Sequence, residues 1–156
     1  PYVAIDKLKK RYSNVEWKHP CIYLKNVTFI DTKFDNLVIT YKNEKLVEAT
    51  FTLFDNASVM DNPFKDRATI LSEAKSKQNQ IMNRFTQAFN GLGNAFCSKY
   101  GNPAVSSEGN AIWRDTNSNS ITLNVTLNNS QDELGVHFDG ILTVTYRTAT
   151  TNNDEF

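Results

Sequence analysis

The sequence predicts an α+β domain, an antiparallel sheet with helices packed on one face. Three observations carry this. Several segments alternate apolar and polar residues at the period of a half-buried strand, among them Ile121-Thr122-Leu123-Asn124-Val125-Thr126-Leu127. Two other segments repeat apolar residues every three or four positions, the helical period. One order of elements is also stated twice along the chain, and internal repetition constrains architecture before any single motif does.

Taken in order, Ile5, Leu8 and Tyr12 recur at helical spacing, with Ser13-Asn14 as a stop, so a short helix is expected over 4–12. β-Branched and aromatic residues then mark strands over 22–30, 37–41 and 46–54. The last two flank Lys42-Asn43-Glu44-Lys45, a polar turn that reads as a hairpin. Asp61-Asn62-Pro63 is a helix start signal, with Asn62 able to cap and Pro63 suited to the first helical position. From there Leu71, Ala74, Ile81, Phe85, Ala88, Leu92 and Phe96 form an apolar stripe that stops at Tyr100-Gly101-Asn102-Pro103. An unbroken helix over this span would be about 55 Å long, against an expected radius of gyration of about 15 Å. A break or kink is therefore expected at 76–79 or at Gly91-Leu92-Gly93. Strands resume over 111–114, 121–127 and 141–147, between Asn- and Ser-rich loops, and the tail 150–156 should fray. The expected order is α–β–β–β–α–β–β–β, one domain over 1–149, divisible into halves 1–56 and 57–149.

The repetition is carried by two echoes. Leu8-Lys9-Lys10-Arg11-Tyr12-Ser13-Asn14 is matched by Phe96-Cys97-Ser98-Lys99-Tyr100-Gly101-Asn102. Phe34-Asp35-Asn36-Leu37-Val38-Ile39-Thr40-Tyr41 is matched, with one extra residue, by Phe138-Asp139-Gly140-Ile141-Leu142-Thr143-Val144-Thr145-Tyr146. A tandem pseudo-repeat would produce both. The strand counts do not match element for element: the first half has a strand after its Thr-Tyr strand, the second has two before it.

The 40% hydrophobic and 12% aromatic content suffices for a core, and ten Phe argue against disorder. Seventeen basic and seventeen acidic side chains cancel, so the positive footprint of a nucleic-acid binder is absent. The densest positive run, Lys7-Leu8-Lys9-Lys10-Arg11, falls on the amphipathic first helix and reads as its solvated face. No stretch approaches the ~20 apolar residues of a membrane-spanning helix. No signal peptide is visible, and the start at Pro1-Tyr2-Val3 suits a chain whose leader has been removed. Cys21 and Cys97 are too few for a disulfide scaffold or a cysteine metal site; they either pair in an exported chain or remain two buried thiols. Sequons at Asn26, Asn56, Asn124 and Asn128 arise easily in an Asn-rich chain.

Strand alternation assigns the surfaces. Val47, Ala49, Phe51 and Leu53 oppose Glu48, Thr50 and Thr52; Ile121, Leu123, Val125 and Leu127 oppose Thr122, Asn124 and Thr126; Leu142, Val144 and Tyr146 oppose Thr143 and Thr145. The amphipathic helices must cover the apolar side. A broad face lined by Thr50, Thr52, Thr122, Asn124, Thr126, Thr143 and Thr145 is left uncovered. Threonine is also simply a good strand residue, but an open face of this extent is where a partner would dock.

Catalytic motifs are absent from the residue pattern. Neither His19, before Pro20, nor His137, beside Phe138, is placed next to Cys97 as a nucleophile pair requires. Asp115-Thr116-Asn117-Ser118-Asn119-Ser120 has the opening of a calcium loop but lacks its glycine at Ser120 and its bidentate acid at Thr126, so a hairpin is expected. Gly91-Leu92-Gly93 is no phosphate loop, since no Lys-Ser/Thr follows. Asp132-Glu133 reads as a solvated loop pair. Trp17 and Trp113 could stack on sugars or bases, but tryptophan more often sits in or beside a core. No cofactor or metal is expected.

Arg11-Tyr12-Ser13-Asn14, Lys99-Tyr100-Gly101-Asn102, Trp113 and the two Phe-Asp strands resemble, as an order of elements over most of the chain, small exported bacterial domains. These are uncharacterised lipoprotein or periplasmic modules of the broad class similar to the beta-lactamase inhibitor protein. The resemblance implies tandem helix-plus-sheet units, with helices on one side and an open sheet face used against a partner. No inhibitor's binding residue carries over, and inhibition of a lactamase is not implied. The expectation is thus a non-enzymatic binding module of the bacterial cell envelope, secreted to the periplasm or outer surface. Its partner would be a protein or an envelope polymer, and a lipid anchor could lie upstream. Two alternatives have distinct signatures. A small hydrolase or carbohydrate-active enzyme needs His137 or Cys97 in a pocket with an acidic neighbour. A cystatin-like small-ligand carrier needs an apolar cavity between helix and sheet.

Overall fold

The computed structural model describes residues 1–132 and 135–149. Helix α1 (Tyr2–Arg11) leads into strands β1 (Val15–Lys18), β2 (Cys21–Phe29), β3 (Thr32–Lys42) and β4 (Lys45–Met60). Helix α2 (Arg67–Tyr100) leads into β5 (Val105–Ser107), β6 (Asn110–Arg114), β7 (Ser120–Gln131) and β8 (Gly135–Arg147). The expected succession of helix, strands, helix, strands holds, with one further short strand after each helix. At four and three residues, β1 and β5 are too short for alternation to reveal. All eight strands form one antiparallel sheet in the order β1-β2-β3-β4-β8-β7-β6-β5. Each half is therefore a helix followed by a four-stranded meander, and the halves join where β4 pairs with β8 from Glu48↔Arg147 to Met60↔Gly135.

Both helices lie on the same face. Ile5 of α1 is buried with Ile22, Leu24, Leu37 and Ile39. Ile70, Ala74, Ile81, Phe85, Leu92 and Phe96 of α2 are buried with Leu53, Val59, Leu123, Phe138, Leu142 and Val144. Expected and observed stripes agree except that Leu71 is exposed and Ile70 takes its place.

Contrary to the expected break, α2 runs unbroken for 34 residues, about 51 Å at 1.5 Å per residue. The long strands support it, because β4 alone has 16 residues, about 50 Å at ~3.3 Å each. A radius of gyration treats the domain as a ball, whereas this core is an elongated slab. The helix starts along β4, where Lys77 Nζ donates to the Ser58 carbonyl at 2.8 Å and Arg84 pairs with Asp55, and its last turns reach β6, where Phe96 meets Trp113 with ring centroids 5.3 Å apart. The helix start is also corrected. Asp66, not Asn62, is the cap: its carboxylate accepts from the Thr69 amide at 2.8 Å and the Thr69 hydroxyl at 2.9 Å, which holds Asp66 below its ordinary carboxylate range. Asn62 instead accepts from the Phe64 amide in the preceding turn.

The two echoes fare differently. At the helix ends, Arg11 lies 5.6 Å from the centre of the Tyr12 ring and Lys99 5.3 Å from that of Tyr100, so both basic-Tyr pairs make the same ring contact. Phe34-Asp35 belongs to the third strand of its half and Phe138-Asp139 to the fourth, so these strands are not counterparts.

Hairpin β2–β3 departs from the sheet. The β3–β4 ladder ends at Asn36↔Thr52, and beyond it the Asp35 carboxylate, not a backbone carbonyl, takes the Phe54 amide at 2.8 Å. The freed end folds onto α2, where Phe29 stacks on Phe51 at 4.7 Å and approaches Phe96 at 6.3 Å. Its tip, Ile30-Asp31, is a two-residue turn with φ of 46° and 57°. A left-handed conformation at a β-branched residue is strained, by about 1–2 kcal/mol per residue. Ile30→Asn combined with Asp31→Gly, the pair such turns favour, should therefore raise the urea midpoint by an amount equivalent to about 1–2 kcal/mol.

Candidate functional site

Register places all seven expected contact residues together. Thr50, Thr145 and Thr122 face one another across β4, β8 and β7; Thr52, Thr143 and Asn124 form the next row; Thr126 sits in a third row with Ile141 and Phe54. None of these side chains points to the helices, because Leu53, Leu123, Leu142 and Val144 on the opposite face do. The first row extends outward through Val38 and Tyr23 on one side and Ile112 and Val105 on the other. No described element covers this face.

The face is less polar than expected. Phe54 is 43% exposed, Ile141 39% and Tyr23 39%, so apolar side chains interrupt the Thr and Asn rows. Phe54 and Ile141 pair directly across β4 and β8. Charge flanks the threonine rows: Arg147 Nε and Nη2 donate to Glu48 Oε2 at 2.9 and 2.6 Å, Glu16 and Lys18 pair on β1, and Asp139 lies beyond the third row. Thr50 and Thr145 hydroxyls lie 3.3 Å apart and tie the centre together. The Cys21 thiol beside Tyr23 pushes that phenol above its ordinary range.

Beyond the threonine rows, β4, β8 and β7 continue as a three-stranded ribbon. Here Asn56, Asp139 and Asn128 form one row and Ser58, His137 and Ser130 the next. Ser58 Oγ lies 2.9 Å from His137 Nδ1. Asp132 Oδ1 lies 3.2 Å from His137 Nε2, off the axis of a ring N–H, and accepts the Gly135 amide at 3.1 Å. Asp132 is an exposed loop carboxylate, as expected, and it also closes the approach to β8 beside His137. Glu133 lies outside the described residues, as does the tail 150–156. His137 has an acidic neighbour, as a hydrolase would require, but on an open strand face and not in a pocket.

Other candidates resolve structurally. Trp113 is a core residue whose Nε1 donates to the Gly101 carbonyl at 3.1 Å, and Trp17 packs half-buried among Tyr2, His19 and Tyr41. Cys97 is exposed and Cys21 half-buried, and both thiols are free, so neither pairing nor double burial is observed. Cys21 is on the open sheet face, in register with Thr40, while Cys97 is on α2. Asp115 closes the β6–β7 turn: the Asn119 side-chain amide, then the Asn119 and Asn117 backbone amides, bind its carboxylate and lower its pKa. Among the described residues no cluster of three His, Cys, Asp or Glu could hold a metal ion, and no helix is long and apolar enough to cross a membrane. Between α2 and the β2–β3 tip lies an open cleft of about 400 Å³ where Leu53 and Ala88 meet Asp31, Lys33 and Arg84. It is not the apolar cavity between helix and sheet that a cystatin-like small-ligand carrier needs.

Compared with models of known protein families, with curated proteins and with solved structures, the chain has no significant match.

Proposed function

We propose that this chain is an interaction module whose open sheet face binds a partner protein, acting in the bacterial cell envelope after export. One observation carries the reading: the seven Thr and Asn residues form three contiguous rows on a face that no described element covers, with exposed Phe54 and Ile141 among them. Exposed aromatic and aliphatic anchors at the centre, with polar and charged groups around them, match the apolar core and polar rim of a protein-binding patch. Envelope polymers are the other partner class such a face could take. The export setting rests on the resemblance of the helix-end and Phe-Asp motifs to exported modules. The same resemblance, with the palindromic strand order, supports a tandem origin of the two halves from one helix-plus-meander unit.

The test is affinity capture from a bacterial envelope extract by immobilised protein. Thr52→Lys with Thr122→Lys puts two long cations on the patch, on strands separated by β8 so that like charges do not oppose each other. Proteins retained by the wild type should be lost from this variant and kept by Leu71→Lys, an exposed site on α2. Circular dichroism should show all three folded. Unchanged retention by the double variant would exclude the sheet face as the docking surface.

A further inference from the structure

We propose that Ser58 is an activated nucleophile, with His137 as its general base and Asp132 as the residue that orients the imidazole. The assignment rests on which nitrogen can carry the proton. Nε2 is screened from solvent, makes no hydrogen bond, and has the Asp132 carboxylate oxygen 3.2 Å away, off the ring axis. The negative carboxylate beside Nε2, although off the ring axis, favours the neutral tautomer that carries its hydrogen there. Nδ1 is then the acceptor, and at 2.9 Å the Ser58 hydroxyl must donate to it. This is the nucleophile–base–orienter relation, with the roles of the two ring nitrogens exchanged relative to the serine hydrolase template. Off-axis alignment of the orienting carboxylate is usual before substrate binds.

The surroundings suit the chemistry. Ser58 and His137 face each other directly in the β4–β8 ladder, which fixes their approach through two backbones and not through loops. The Ser58 carbonyl turns away from β8 to accept Lys77 Nζ at 2.8 Å, and the Phe54 amide turns the same way to Asp35. N–H and C=O of one residue point to the same side of a strand, so the Ser58 amide also faces the edge vacated by β3. It is a main-chain donor on the side where an oxyanion at Ser58 would need one, and the Lys77 ammonium adds positive charge there. Ser58 itself is exposed. An open strand face cannot enclose a long substrate. It suits esters whose acyl group protrudes from a larger surface.

In the proposed step, Ser58 Oγ forms a bond to the ester carbonyl carbon while its proton passes to Nδ1. The C–O bond to the leaving alcohol then breaks, and that oxygen departs with the proton from Nδ1. Water repeats the sequence on the acyl-serine, releasing the acid and restoring the hydroxyl.

The experiment treats the protein with a fluorophosphonate, where Ser58 Oγ bonds to phosphorus and fluoride leaves, and maps the adduct by peptide mass spectrometry. Turnover of 4-nitrophenyl acetate is followed in parallel. A single adduct at Ser58 is expected, absent in Ser58→Ala. His137→Gln should slow its formation by about 100-fold or more, within the range general-base catalysis supplies, and Asp132→Asn by at least about tenfold. Circular dichroism on each variant separates lost chemistry from lost fold. The assignment is overturned if no adduct forms on the folded wild type, if it forms on Ser130 instead, or if the Ser58 rate is unchanged in folded His137→Gln.

Discussion

Gly140→Ala is expected to destabilise the protein by about 3 kcal/mol, at the upper end of overpacking costs, and the loss should be partly rescued by Phe85→Leu. A Cβ built on Gly140 lies 2.5, 2.8 and 2.9 Å from Phe85 Cε2, Cζ and Cδ2. The ring cannot swing aside, because Phe85 is fully buried in the principal core beneath α2. The added methyl must therefore lift the middle of α2 from β8, or displace the ring into packed neighbours. Phe85→Leu alone should cost about 1–2 kcal/mol as a modest large-to-small change. In the double variant the leucine vacates the space that the alanine needs. The double-mutant cycle should give a favourable coupling of at least about 1 kcal/mol, read from urea midpoints at constant slope. Simple additivity would mean that the close approach of ring and backbone does not determine this contact.

Gly140 also explains why the Phe-Asp echo carries one extra residue. In β8 the inward positions Phe138, Gly140 and Leu142 alternate strictly, and the central one must be bare to admit Phe85. In β3 the inward positions are Phe34 and Leu37, an odd separation. The change of parity coincides with Asn26 at φ 54° on β2 and with the point where the β2–β3 hairpin leaves β4. The sequence likeness thus joins two strands with different positions in their halves and different local geometry. By contrast, the basic-Tyr pairs both mark a helix end and share a ring contact, although Tyr12 caps α1 and Tyr100 is the last residue of α2.

The facing of the central sheet was legible because Val47, Ala49, Phe51 and Leu53 on β4, and their equivalents on β7 and β8, keep perfect alternation. The same parity, carried one residue further, would have put Phe54 and Ile141 on the open face beside the threonines. What periodicity did not mark was the distal ribbon. Asp55-Asn56-Ala57-Ser58 and Asn128-Asn129-Ser130 are poor strand formers, so β4 and β7 were expected to stop before them. They are held extended by pairing with residues 135–141 of β8 and by α2 lying over Val59 and Phe138, a tertiary effect that local preference does not encode. Ser58, His137 and Asp132 meet only because of that ribbon. Their sequence separation of 79 residues between serine and histidine conceals the contact.

The ribbon has its own weak point, and Gly135→Ala is expected to break it. Gly135 sits at φ 153°, and a Cβ there would fall 2.1 Å from the Val59 carbonyl oxygen and 3.0 Å from Met60 Cα. Unlike the clash at Gly140, these are backbone atoms of the paired strand, so no rotamer change relieves it. The residue is also tied on its other side, with its amide on Asp132 Oδ1 at 3.1 Å and its carbonyl receiving the Asp132 amide at 3.0 Å. Relief requires opening Met60↔Gly135 and Val59↔Val136, at a cost of more than about 3 kcal/mol, the range of exceptional single substitutions. The damage should be local, since the α1 core with Ile22, Leu24, Leu37 and Ile39 lies at the far side of the sheet. Hydrogen exchange should therefore show lost protection over 54–60 and 135–141 while β2 and β3 keep theirs. Ser58 phosphonylation should fall with it, because His137 loses its place opposite Ser58 once the ladder opens. Retained protection across the ribbon, with stability within about 0.5 kcal/mol of wild type as for an ordinary surface change, would show that Gly135 does not hold the two strands in register.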